Sequence, residues 1–86
     1  MTERTAVVAS RVGLHARPAA LFTQAVAASG AAVTIARPGQ APVDASSILL
    51  VMSMGVKNGE EIVLASDGDA ALDGLVAMLE TDLDAG

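Results

Sequence analysis

Cysteine, tryptophan and tyrosine are absent from the 86 residues, and there is a single phenylalanine. Without cysteine neither disulfides nor thiolate metal sites can support the fold, so stability must come from burial, and a reducing cytoplasm is the expected location. Aromatic residues make up 1% of a chain that is 52% hydrophobic, so the core must be built from Val, Leu, Ile, Ala and Met. Basic residues are also few. Five of them against ten acidic residues give a net charge of −5, which argues against a general nucleic-acid binder and either suits a basic partner or simply keeps the protein soluble. Long apolar runs are missing too. The longest, residues 48–52, is far too short for a bilayer, so neither membrane insertion nor export is expected. The length suits one domain over residues 1–86, and the lack of a long apolar edge points to a monomer.

What is present alternates between strand and helix signals. Residues 5–10 (TAVVAS) are β-branched at their centre and read as a first strand, broken by Gly13. From residue 16 to 29, Leu21, Phe22, Ala25 and Val26 recur at helical spacing, with Pro18 tolerable in the first turn and Gly30 placed to end the helix. Residues 32–37 read as a second strand, and Pro38-Gly39 as a turn into a third over residues 40–43, giving a hairpin. Asp44, Ser46 and Ser47 offer capping side chains to a short helix over 48–53 that Gly55 closes.

Lys57-Asn58-Gly59 signals a turn, residues 61–66 a fourth strand, and Asp67-Gly68-Asp69 a turn that caps a last helix. In that helix Leu72, Leu75, Val76, Leu79 and Leu83 form an amphipathic stripe, with Gly74 its weak point. The order is βαββαβα, an α+β arrangement in which a four-stranded antiparallel sheet is covered by helices on one face and wet on the other.

The single histidine stands between a glycine-containing loop and a helix start, in the run Gly13-Leu14-His15-Ala16-Arg17-Pro18. A helix N-terminus offers free N–H groups and the positive end of the dipole, so it favours an anion and disfavours a protonated imidazole. Arg17 in the first turn could fork onto phosphate oxygens, while Pro18 stiffens the turn. His15 is then a nucleophile able to accept and return a phosphoryl group with no metal or cofactor. The residues alone leave a second reading open, in which His15 is an ordinary loop or capping histidine.

The run from Gly13 to Ala19 resembles the active-site signature of the HPr family, and Ser47-Ile48-Leu49-Leu50-Val51-Met52-Ser53-Met54-Gly55 resembles that family's regulatory-serine segment. The resemblance implies an open-faced sandwich with three helices on one side of the sheet. It also implies a phosphocarrier, not a stand-alone enzyme. Its Nδ1 of His15 would be phosphorylated by enzyme I at the expense of phosphoenolpyruvate and discharged to sugar-specific enzyme IIA proteins, with Arg17 stabilising the phosphate. Ala16, Ala20, Ile48, Leu49 and Met52 would form the docking surface, and Ser47 a site for an HPr kinase. Two departures stand out: Ser46 occupies a place often held by lysine, and Val12 one held in some relatives by a small polar residue.

Met52, Met54 and Met78 are read as core or docking surface, and the acidic groups Asp67, Asp69 and Asp73 as dipole partners of the last helix rather than a calcium loop. Two other functions compete with the carrier. One is a binding module of the same fold that relays no phosphate; the other is a small enzyme using Arg17 to bind a phosphate.

Overall fold

The computed structural model describes residues 2–11, 13, 14 and 16–81, so the expectations placed on Val12, His15 and Leu83 lie outside the described residues. Its elements are β1 (Thr2–Val7), α1 (Ala16–Ser29), β2 (Val33–Ala36), β3 (Val43–Asp44), α2 (Ile48–Ser53), β4 (Glu61–Ser66) and α3 (Asp69–Leu79). The strands form one antiparallel sheet in the order β1-β4-β2-β3. This is the α+β open-faced sandwich expected from the element order.

Strand β4 is central and sets the sheet's two faces. Its alternate residues Ile62, Leu64 and Ser66 are wholly buried beneath the helices, as the period of two requires. Across the sheet, Ala6 pairs with Ile62, and Ile35 with Leu64. The helices add Phe22 and Val26 from α1, Val51 from α2, and Leu72, Leu75 and Leu79 from α3 to one core. Helix α3 packs on β1 and β4, α1 on α2 and α3, and α2 on β3. Burying the Phe22 side chain contributes about 2–3 kcal/mol, the scale on which so aromatic-poor a core is built.

The opposite face carries Glu3, Thr5, Val7, Thr34, Glu61 and Val63 and is largely accessible, but Ala36 and Ala65 on it are buried. They are small side chains shaded by larger neighbours: Ala65 lies between Glu3 and Thr34, and Ala36 beside Val63. A groove of about 490 Å³ runs over this face.

Helices α1 and α2 and strand β4 occupy the expected positions, and β1 and β3 do not. Strand β1 starts three residues early because pairing with β4 runs to the Thr2–Ser66 position, and it stops at Val7 because Glu60 N–H turns back to Lys57 C=O, leaving Val8 C=O to accept from Gly59 N–H instead. Pairing partners, not the β-branched run, decide those ends. Strand β3 is only Val43–Asp44: Gln40 N–H closes a turn on Arg37 C=O, and Pro42 has no N–H for the ladder. The turn at residues 67–69 precedes α3 as expected. Gly68 holds the cap position with no side-chain bond, and its own N–H donates to Ser66 Oγ.

Candidate functional site

The segment leading to His15 leaves the sheet at Val7, and the turn at residues 56–60 bonds it at Val8, Ala9, Ser10 and Leu14. Val8 N–H donates to Glu60 C=O at 3.0 Å and Val8 C=O accepts from Gly59 N–H at 2.8 Å. The carboxamide of Asn58 donates to both Ala9 C=O and Ser10 C=O, at 3.0 and 3.1 Å. Ser10 C=O also accepts from Gly13 N–H, and Leu14 N–H donates to Val56 C=O at 3.0 Å.

Gly13 is required here. Its φ is +70°, and a Cβ at this position would lie 2.1 Å from Val56 O. Leu14 then drives its side chain into the core, 1% exposed, and fixes the chain on the near side of residue 15. On the far side Ala16 has φ +51°, a left-handed conformation that is uncommon for alanine and costs roughly 1–2 kcal/mol. Pro18 and Ala19 are buried just beyond it. The position of His15 is thus bounded by one deeply anchored residue and one strained residue.

Arg17 is exposed in the first turn of α1, with no described carboxylate paired to it. Arg4 and Arg37, in contrast, are engaged with Asp73 and Glu60. Arg37 forks onto Glu60 through Nε and Nη2 at 3.3 and 3.2 Å, and Glu60 also accepts the Lys57 N–H at 2.5 Å. The bonds from these two partners, Arg37 first, hold the Glu60 carboxyl below the ordinary 4.5.

Ser47 is the N-cap of α2, with φ −94° and ψ 110°, and its Oγ accepts from Leu50 N–H at 3.3 Å. Beside it, Asp44 Oδ1 accepts from both Ser46 Oγ and Ser46 N–H, at 2.7 and 2.9 Å, which lowers the Asp44 pKa from 3.8. Of the expected docking residues, Ala16, Ile48 and Leu49 are exposed, and Ala20 and Met52 half-buried.

Leu50 was not among the expected docking residues, yet it is exposed. With successive helical residues turned by about 100°, Ile48, Leu50 and Leu49 lie roughly 60°, 100° and 160° from buried Val51. Their exposures rise in that order, 38%, 42% and 78%. Five consecutive apolar residues in a six-residue helix cannot all face inward, and that was the available signal. The patch is centred on Leu49, and α2 rests against α1.

Among the described residues no group of His, Cys, Asp and Glu is placed to hold a metal ion, and no helix is long and apolar enough to cross a membrane. The open-face groove takes no residue from the loop that leads to His15.

A family model described as "PTS HPr component phosphorylation site" matches residues 2–81. The chain is 51% identical over 71 residues to the phosphocarrier protein HPr of Streptomyces coelicolor, covering 83% of this chain and 76% of that one. Among solved structures, HPr-C-His from Thermoanaerobacter tengcongensis superposes with a TM-score of 0.88 at 34% identity, covering 100% of this chain and 99% of that one. The phosphocarrier protein HPr from Bacillus anthracis gives a TM-score of 0.84 at 33% identity, covering 91% and 95%.

Proposed function

This chain belongs to the HPr family of phosphocarrier proteins, and from that premise we propose that it takes a phosphoryl group from phosphorylated enzyme I onto His15 and passes it to enzyme IIA proteins. The observation that carries this reading is Arg17, exposed and with no described carboxylate paired to it, three residues beyond the anchored Leu14. In the transfer, the Nδ1 lone pair attacks phosphorus, a P–N bond forms, and the bond from phosphorus to the donor group breaks. Discharge is the reverse step with a partner nucleophile. The guanidinium neutralises charge on the phosphoryl oxygens during both steps.

The chain acts as one domain and as a cytoplasmic monomer, and it needs no cofactor. It is a covalent intermediate rather than an enzyme, and its partners bind at Ala16, Ala20, Ile48, Leu49 and Met52. Docking must be transient, because each partner has to leave.

The test is to incubate the protein with enzyme I, phosphoenolpyruvate and magnesium and read the intact mass. One acid-labile phosphoryl group, absent from His15→Ala, is the expected result. A folded protein left unlabelled by an active enzyme I would overturn the relay in favour of a binding module. Ser47 is the regulatory candidate in the same reading. Incubation with an HPr kinase and ATP should give serine-linked phosphate at Ser47, and its absence would remove that role for that kinase.

A further inference from the structure

We infer that Asn58, on the turn opposite the loop, is a positioning residue for phosphoryl transfer: its carboxamide sets the loop that presents His15. The inference rests on the carrier reading above. Two consecutive carbonyls, Ala9 and Ser10, point at one nitrogen, Asn58 Nδ2, across 49 and 48 residues of sequence. Two acceptors close together need two N–H groups from one neutral atom, and among neutral side chains only a carboxamide supplies them. The same need assigns the nitrogen end of the side chain to these bonds, since the oxygen would face two other oxygens.

The consequence reaches the site through Ser10. Its carbonyl is shared between Asn58 and Gly13 N–H, so the 10–13 turn takes its orientation from residue 58. Gly13 itself lies close against the 56–57 backbone, where an added Cβ would meet Val56 O and Lys57 Cα. Residues 56–60 therefore act as a mould. Val56 C=O, the Asn58 side chain, Gly59 N–H and Glu60 C=O each bond the segment from Val8 to Leu14. The mould is braced in turn by the Glu60 carboxylate, which holds Lys57 N–H on one side and Arg37 on the other.

Asn58 is exposed and lies apart from the α2 patch in sequence and element, so replacing it should alter presentation of the loop while leaving partner docking intact. Asn58→Asp keeps the shape but sets a carboxylate against two carbonyls. Asn58→Ala removes the donors without adding charge, and Asn58→Gln restores two N–H groups on a longer stem. Each is compared with the wild type in labelling by enzyme I, phosphoenolpyruvate and magnesium, together with the NMR titration of the His15 imidazole and a melting curve. Ala70→Gly, an exposed change at the start of α3, serves as a control for stability alone.

The maximal transfer rate should fall about ten- to a hundredfold in Asn58→Asp and Asn58→Ala, with the half-saturating carrier concentration changing less than about twofold. The His15 titration should shift in both, Asn58→Gln should recover most of the rate, and Ala70→Gly should lower melting without changing the rate. A wild-type maximal rate in folded Asn58→Ala, or a loss lying wholly in the half-saturating concentration, would overturn the inference. An unlabelled wild type would instead strike at the carrier reading itself.

Discussion

Two helix starts in this protein carry the two candidate phosphorylation sites, and they are built in opposite ways. Helix α2 begins in a relaxed manner: Ser47 is extended, its oxygen takes the Leu50 N–H, and Asp44 stands beside it with its own two hydrogen bonds to Ser46. Helix α1 begins at a strained residue, Ala16, and its first turn carries no acid and an arginine with no partner carboxylate among the described residues. The first start satisfies itself and is already negative nearby. The second has a positive charge in its first turn and a backbone conformation that the surrounding anchors impose. Strain of this sort persists only where neighbouring structure over-determines it, and here Leu14, Gly13 and buried Pro18 supply that constraint.

The largest expected effect separates the two starts by charge. Arg17→Ala should slow phosphorylation by enzyme I about a hundred- to a thousandfold while melting with the wild type, and Ser47→Ala should change that rate less than about twofold. Equal losses in the two variants would erase the distinction. Next comes the anchoring of the α1 start. Gly13→Ala should remove about 2–4 kcal/mol of stability in urea unfolding, from overpacking against Val56 plus the left-handed φ. A loss below about 1 kcal/mol would mean that the loop relaxes and the mould is soft.

A smaller effect is expected at the relaxed start, where Ser47→Ala should lose about 1 kcal/mol through the missing cap, readable in the same urea titration. The smallest concerns pH. Asp44 has a folded pKa below 3.8, so its contribution to stability is present above that value and disappears as pH falls through the lowered one. Stability measured from pH 5 downward should therefore fall less steeply in Asp44→Asn than in the wild type. Identical slopes would show that the Ser46 bonds do not persist in solution.

Much of this was legible along the chain, and the exceptions share a cause. The boundaries of α1, α2 and β4 followed from local signals: Gly30 and Gly55 adopt the positive φ values that end helices, and Ser47 caps as its type prefers. The limits of β1 and β3 did not, because they depend on which residues of β4 and β2 lie opposite. Exposure of Leu50 was readable in principle from the crowding of apolar residues in so short a helix. The role of Asn58 was not, since a Lys-Asn-Gly run announces a turn and nothing about two carbonyls nearly fifty residues away.

By itself the sequence determined the element order, the aromatic-poor aliphatic core, and the placing of His15 and Arg17 at a helix start, since these are properties of local spacing and residue chemistry. Only the tertiary structure decided how the loop before His15 is held. A glycine touching Val56 and a carboxamide bridging to Ala9 and Ser10 exist only once β1 and β4 have paired and carried the 56–60 turn against that loop. Hydrogen bonds between segments so distant are set by packing, which no local pattern records.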